Sequence, residues 1–179
     1  MAETDNGAPP RVLLVVAAVL AVLFAGGVAY FGLKGSTSAE PEGDTGPLPL
    51  VSVPAPQAGS ADCAKLVGGL PADLTSNGKT LSRRELAEPA PAATVAWGRE
   101  AVVLRCGLEK PSELTQTAQL RTINGVQWLP VEADGVSTWY LVDRSVYVAL
   151  TIPQSAGTGP LQSISDAVVA NLQPQPLRF

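Results

Sequence analysis

The sequence predicts an α+β protein with one transmembrane helix, followed by a small antiparallel sheet of four or five strands. A short N-terminal helix and an amphipathic C-terminal helix are predicted to pack on this sheet. An apolar run without a charged residue extends from Val12 to Leu33, later segments are β-branched or alternate with period two, and the last apolar residues recur at spacings of three and four. Without the apolar run and a linker, roughly 120 of the 179 residues remain, the ordinary size of one domain.

The run from Val12 to Leu33 is long enough to cross a bilayer as one helix. A cleaved signal peptide is the alternative, but its apolar part usually spans only about 7 to 15 residues. Arg11 and Lys34 flank the run on its two sides, so the distribution of positive charge does not orient it. The cysteines favour a domain outside the cytoplasm, where disulfides persist. We therefore predict a cytoplasmic tail at 1–11, a single-pass plasma-membrane anchor and an extracytoplasmic C-terminal domain.

A spacer should separate the anchor from the domain. Residues 34–60 are rich in proline and glycine, a composition that buries little apolar surface and predicts a solvated linker. The domain is predicted at 61–173 and a short tail at 174–179. The domain should open with a short helix, because Ser60 or Asp62 can accept the free amide hydrogens of a first turn.

The sheet is predicted from apolar segments and turn residues. Asn77-Gly78 and Asn124-Gly125 predict tight turns. Five segments have the composition or the alternation of strands: Ala93–Trp97, Ala101–Cys106, Leu120–Leu129, Val136–Val142 and Val146–Ile152. The closing helix is predicted from the spacing of four apolar residues: Leu161, Ile164, Val168 and Leu172.

Cys63 and Cys106 are the two cysteines of the chain. A bridge between them would close a loop of about 44 residues and contribute on the order of 4 kcal/mol to stability in the chain-entropy model. The alternative is a pair of buried free thiols, which are common in protein cores. We predict the bridge, because an even number of cysteines outside the cytoplasm normally pairs.

Several short motifs, spread in order over the domain, carry a resemblance to a known family. They are Cys63-x-x-Leu66, Leu70-Pro71, Trp97-Gly98, Arg105-Cys106-Gly107 with Pro111, Asn124-Gly125-Val126-x-Trp128, and Val146-Tyr147-Val148-Ala149 with Pro153. Over about Asp62 to Leu172 the chain resembles the actinobacterial membrane-protein family catalogued as domain of unknown function 3515. The resemblance implies a single anchor, an extracytoplasmic domain and a paired-cysteine core in a cell envelope. It assigns no catalytic residue.

Histidine is absent from the sequence, which excludes the commonest general base and most zinc sites. Ser76 and Lys79 have the spacing of a Ser-x-x-Lys motif, but the Asn-Gly between them breaks the helix that such a motif needs. We therefore predict no catalytic residue, no cofactor and no metal site. A hydrolase of cell-wall polymers is the alternative, with Glu132 and Asp134 as its pair among the carboxylates Glu85, Glu88, Glu100, Glu109, Glu113, Glu132, Asp134 and Asp143.

Binding is the function that the residues favour. The domain is nearly neutral and its only basic pair is Arg83 and Arg84, so nucleic-acid binding is not expected. These two residues and Arg144 are candidates for recognising carboxylates or phosphates, with solvated charge as the plainer interpretation.

The tryptophans Trp97, Trp128 and Trp139 are expected in the core, but Trp139 would point outward if the helices cover the face that contains Val136. The predicted function is a non-catalytic accessory or binding module that contacts an envelope protein or a cell-wall component.

Overall fold

Eight antiparallel strands form one sheet in residues 46–133 and 136–179, the part of the chain that this computed structural model describes. In chain order they are β1 (Asp73–Ser76), β2 (Lys79–Arg84), β3 (Thr94–Trp97), β4 (Val102–Leu108), β5 (Arg121–Ile123), β6 (Val126–Ala133), β7 (Val136–Leu141) and β8 (Tyr147–Pro153). The same residues form two helices, α1 (Ala61–Gly69) and α2 (Gly159–Asn171). The strand order in the sheet is β1-β2-β3-β4-β8-β7-β6-β5, which places β4 and β8 at its centre.

The predicted fold class is wrong, because it gave the sheet four or five strands and the structure has eight. The unexpected strands are β1, β2 and β5, which are short or polar and lack a run of alternating apolar residues. β1 and β2 form a hairpin with each other, and β5 forms one with β6. Hydrophobic periodicity within one segment does not reveal such pairing. No helix of the described residues is long and apolar enough to span a membrane. The predicted transmembrane helix at Val12–Leu33 lies outside those residues.

Both predicted Asn-Gly turns are confirmed as two-residue hairpin connections. Asn77 and Gly78 have φ values of 49° and 75° and join β1 to β2, with Ser76 opposite Lys79. Asn124 and Gly125 have φ values of 48° and 76° and join β5 to β6. Positive φ at both central residues gives the twist that matches two antiparallel strands, and Asn-Gly adopts it readily.

The main core lies between the two helices and one face of the sheet. Ser60, one of the two capping residues that the sequence allows, caps α1 by accepting a hydrogen bond of 3.2 Å from the Cys63 amide. Trp97 and Trp128 are fully buried here, and their indole N–H groups donate to Pro71 O at 3.0 Å and Ser165 Oγ at 2.9 Å. Because both indole donors have acceptors, the core buries these rings without leaving an unpaired polar group.

The predicted disulfide is confirmed. Cys63 on α1 and Cys106 on β4 are bonded, with their Cα atoms 5.7 Å apart. Both residues are fully buried in the main core. The bridge therefore fixes the first helix to a central strand.

The opposite face of the sheet has no helix of the described residues packed on it, and we call it the helix-free face. A second apolar cluster covers one end of this face and consists of Leu114, Leu129, Val142 and Tyr147. Leu177 of the C-terminal tail packs against the cluster, and the Arg178 guanidinium lies 5.1 Å from the centre of the Tyr147 ring. The loop after β4 and the chain end thus cover part of a face that the helices leave uncovered.

Candidate functional site

Arg144, one of the predicted binding residues, lies in the protein interior at the turn between β7 and β8. Its side chain is 2% exposed, and its Nη1 lies 2.8 Å from Asp143 Oδ2. The same carboxylate oxygen accepts a hydrogen bond of 3.0 Å from the Gln127 amide. Ser145, the next residue, donates to Asp62 at the start of α1. The Arg144 side chain thus pairs with the adjacent Asp143, and its Nε is buried without an acceptor. Asp143 and Ser145 make the contacts from this turn to Gln127 and Asp62.

Arg83 and Arg84 contact backbone carbonyls. Arg83 donates to Leu70 O at 3.3 Å, and its guanidinium lies 5.8 Å from the centre of the Trp97 ring. Arg84 donates to Gly46 O at 3.1 Å through Nη2 and to Arg99 O at 3.0 Å through Nη1. Successive residues of a strand point to opposite faces, so the two arginines lie on different sides of β2.

Trp139 is partly buried and packs against the main core. The helices cover the face that contains Trp139 and not the one that contains Val136, which is 38% exposed. The four predicted residues therefore do not form one cluster: Trp139, Arg83, Arg84 and Arg144. Whether any of them binds a ligand stays a prediction.

Of the carboxylates considered for hydrolysis, Asp143 is buried beside Arg144, and the six described glutamates are exposed and spread over the surface. Glu100 accepts a hydrogen bond from Ser155, and Glu88 accepts one of 3.1 Å from the Ala90 amide. Glu132 is exposed at the end of β6, and its predicted partner Asp134 lies outside the described residues. Within the described ranges, no three residues of the metal-ligating types are grouped so that they could hold an ion.

Arg105 is the residue of the helix-free face that the sequence analysis did not single out. It lies on β4, between Leu104 and Cys106, whose side chains are both in the main core. Its backbone is opposite Thr94 on β3 and Ala149 on β8, and Ala149 is opposite Tyr140 on β7. Arg105 therefore stands near the middle of the sheet, on the side away from the helices.

Hydroxyl groups lie beside Arg105 on the same face. Val103 is opposite Thr151, and Thr151 is opposite Thr138. The hydroxyl oxygens of the two threonines are 3.3 Å apart, which is a hydrogen-bond distance. Residues two positions apart along a strand share a face, so this row adjoins the one that contains Arg105 and Tyr140.

The charge of Arg105 has no carboxylate partner among the described residues. Its Nη2 donates to Val51 O at 3.2 Å, whereas its Nε is buried and has no acceptor. Burial lowers the pKa of Arg105 from its ordinary value, because desolvation disfavours the charged form. A guanidinium stays protonated at physiological pH even so. The helix-free face thus carries a half-buried positive charge that no acid of the described chain neutralises.

Tyr140 lies at the other end of the row that contains Arg105 and Ala149. Burial, and then the negative charge of Glu113, raise the pKa of its hydroxyl from 10.0. The hydroxyl is therefore neutral at physiological pH and is able both to donate and to accept a hydrogen bond.

Residues 46–58 precede α1 in the chain, and we call them the N-terminal strap. In space they extend from the residues that follow β2 to strand β4. Leu48 is bonded at both its amide and its carbonyl, since its amide donates to Glu85 O at 2.8 Å and the Ala87 amide donates to Leu48 O at 2.9 Å. At the other end the Gln57 amide donates to Gly107 O at 3.0 Å. These residues belong to the predicted linker, and the structure shows them bonded to the domain.

Between its two ends the strap is held to the sheet by one hydrogen bond among the described residues, the one from Arg105 to Val51 O. The Val51 side chain is 79% exposed, so it contributes little packing. The middle of the strap is therefore fixed at both ends and has one described hydrogen bond to the helix-free face, with Leu50 and Ala55 partly buried.

Gly107 allows the strap to lie close to β4. Its φ is +88°, a region that residues with a side chain rarely adopt. A Cβ at this position would meet the backbone of Gln57 and Ala58. Both observations require glycine where the strap joins the sheet.

A signal for Arg105 was present in the sequence. The stretch from Ala101 to Cys106 is apolar apart from this one charge, which is the next-to-last residue of a predicted strand. A charged residue in a central strand is unusual unless it has a partner or a function. The predicted candidates Arg83, Arg84 and Arg144 were instead charges in segments expected to be loops or turns, which carry most binding residues.

A family model described as "Protein of unknown function (DUF3515)" matches residues 12–177. The match spans most of the chain, and the chain belongs to this family. No curated protein and no solved structure shows a significant match to the chain.

Proposed function

We propose that this member of a family without an assigned function is an extracytoplasmic binding module, tethered to the membrane of an actinobacterial cell envelope. In this proposal it contacts an envelope protein or a cell-wall component through the helix-free face of its sheet and has no catalytic activity. The observation that carries the proposal is Arg105, a half-buried cation without a carboxylate partner among the described residues, on the face that the helices leave uncovered.

Two features support the location. The apolar run from Val12 to Leu33 has the length of a membrane span. The bond between Cys63 and Cys106 is of the kind that persists in oxidising compartments and is rare in the cytosol. Both are consistent with a domain that is held at the membrane and folds outside the cytoplasm.

The groups on the helix-free face are suited to recognition. A guanidinium forms strong, directional hydrogen bonds with anionic groups, and the neighbouring threonine and tyrosine hydroxyls both donate and accept. Arg105, Thr138, Thr151 and Tyr140 lie on adjacent rows of three central strands. Because strands of a sheet are rigid, these groups are held in place before a ligand arrives, which reduces the entropy lost on binding.

Site-specific photocrosslinking in intact cells tests the proposed face. A photoreactive side chain at Thr138 or Thr151 is expected to give the same adduct, identified by mass spectrometry. The matched control is Val169, which is exposed on α2 at the helix side of the domain. Adducts formed equally from Val169, or none from the two threonine positions, would contradict the proposal.

Protease treatment of intact cells tests the location. Added protease is expected to remove the C-terminal domain and to leave the eleven-residue tail before the apolar run protected. A second sample, permeabilised before treatment, is the control in which both parts are digested. A domain that is fully protected in intact cells would contradict the extracytoplasmic location.

A further inference from the structure

We infer that Arg105 binds a carboxylate group of the ligand through its Nε and Nη2, and that this carboxylate replaces the carbonyl of Val51. The inference rests on the proposed function in one respect, since it names the chemistry of the ligand that reaches the helix-free face. It adds a consequence for the N-terminal strap, whose middle is released when the ligand binds.

The N–H donors of Arg105 match a carboxylate. Nε and Nη2 present two N–H groups on one edge of the planar guanidinium, a spacing that the two oxygens of a carboxylate match. In the free protein this edge has one neutral acceptor, Val51 O at 3.2 Å, and the Nε donor has none. A carboxylate would supply acceptors to both donors and would neutralise the charge.

The N-terminal strap has to move for this binding, because the carboxylate needs the position that Val51 O occupies. Residues 49–54 have no backbone hydrogen bond of their own among the described residues, and the Val51 side chain is mostly in solvent. Moving residues 49–54 outward therefore breaks one described hydrogen bond and exposes the partly buried Leu50, and water then satisfies the freed carbonyl of Val51. The bonds at Leu48 and Gln57 hold the ends in place.

The charge of the face favours a carboxylate over a phosphate. Arg105 supplies a single positive charge, and the row ends at Tyr140, where Glu113 contributes a negative one. A phosphate dianion would face this acid with one cation to balance it, whereas a carboxylate monoanion is matched by Arg105 alone.

An NMR titration of the full chain in detergent micelles tests the inference, with sodium propionate as the probe and sodium chloride at equal ionic strength as the reference. The Arg105 Nε–H resonance is expected to shift and to saturate. The Ser52 amide is expected to shift over the same concentrations, because the carbonyl of the Val51–Ser52 peptide loses its donor.

Two variants sharpen the titration. Arg105→Lys keeps the charge but removes the two-donor edge, and we expect the Ser52 shift to be lost. Arg121→Lys, on the exposed edge strand β5, is the matched control and should leave the titration unchanged. The indole resonances of Trp97 and Trp128 report whether each variant is folded. If Arg105→Lys does not fold, the titration of the unmodified chain still decides.

Three outcomes would overturn the inference: an Arg105 Nε–H shift that does not saturate, equal saturation by inorganic phosphate, or an Nε–H shift without a Ser52 shift. The titration contains no envelope partner, and the crosslinking experiment does not depend on propionate. A failed titration with positive crosslinking therefore removes only the carboxylate, and the reverse pair of results removes only the proposed envelope contact.

Discussion

Arg144, at the turn between β7 and β8, and Arg105, on β4, have opposite electrostatic environments. Arg144 is 2% exposed and is paired with Asp143 at 2.8 Å. Arg105 is half-buried, has a backbone carbonyl as its one acceptor, and meets no carboxylate of the described chain. Both side chains have a buried Nε without an acceptor, so an unpaired donor does not separate them. They differ in the carboxylate of Asp143, which neutralises the charge of Arg144 inside the protein.

The largest effect is expected from removing the charge of Arg144. Arg144→Met should lower the free energy of unfolding by about 3–5 kcal/mol, because Asp143 stays buried without its cation. Urea denaturation followed by tryptophan fluorescence measures the loss. The double variant with Asp143→Asn should recover part of it, since the Gln127 amide keeps an acceptor while the buried charge is gone. A loss below about 1 kcal/mol would break the contrast with Arg105.

The disulfide connects the two regions, because α1 contacts the Arg144 turn through Asp62 and Ser145, and Cys106 follows Arg105 on β4. Replacing Cys63 and Cys106 by serine should cost on the order of 4 kcal/mol, the chain entropy that the bridge removes from the unfolded state. Denaturation of the oxidised and the reduced protein gives an independent value. Equal stability of the two forms would contradict this role.

A smaller effect is expected where the strap joins the sheet. Gly107→Ala should cost about 1–3 kcal/mol, because the new side chain takes a positive φ and meets the Gln57–Ala58 backbone. Amide exchange of Gln57 should speed up. Gly78→Ala is the matched control, since Gly78 has a φ of +75° but no atom near the new Cβ. Its cost should be lower, and equal costs would show that the strap contact adds nothing.

Arg105→Met is expected to change the free energy of unfolding by less than about 0.5 kcal/mol. The long apolar side chain keeps the packing of the arginine stem, and the lost charge was disfavoured by burial, as the lowered pKa of Arg105 indicates. The same denaturation experiment as for Arg144→Met compares the two directly. A loss as large as that of Arg144→Met would make Arg105 a structural residue.

The smallest effect concerns Tyr140, whose pKa is raised from 10.0 by burial and by Glu113. The folded state therefore holds the phenol proton more tightly than the unfolded state does. This contribution to stability is complete below pH 10 and is lost as the pH rises through the folded pKa. Stability should fall more steeply above pH 10 in the unmodified chain than in Tyr140→Phe. Ultraviolet titration of Glu113→Gln should show a lower pKa for Tyr140, and an unchanged pKa would exclude the Glu113 contribution.

Local chemistry explains which elements the sequence predicts well. The Asn-Gly turns fix their hairpins through positive φ, Ser60 caps α1, and alternation marks β8. The spacing of Leu161, Ile164 and Val168 identifies α2, where all three are buried. The bond between Cys63 and Cys106 follows from their number and the expected compartment. In each case a few residues close in sequence, or the number of cysteines, are enough to predict the feature.

The rest depends on contacts between distant residues. β2 pairs with β3 through only Arg83 and Arg84, and β5 has three residues, so neither has a periodic pattern of its own. Arg144 was predicted as a turn charge in solvent. It is buried with the adjacent Asp143, and this burial depends on packing around the turn that the sequence does not reveal. Arg105 was not predicted as a candidate because its apolar neighbours indicate only a buried strand. The strand pairing is needed to show that its side chain lies on the helix-free face.

The strap also determines how the domain responds to tension on the chain from its N-terminal side. The bonds at Gly46 and Leu48 lie first along the path, those at Val51 and Gln57 come next, and Cys63 is reached only afterwards. Residues 46–57 would span roughly 40 Å if they were pulled straight. A force that opens these bonds in succession would therefore lengthen the molecule while its disulfide-linked core stays folded.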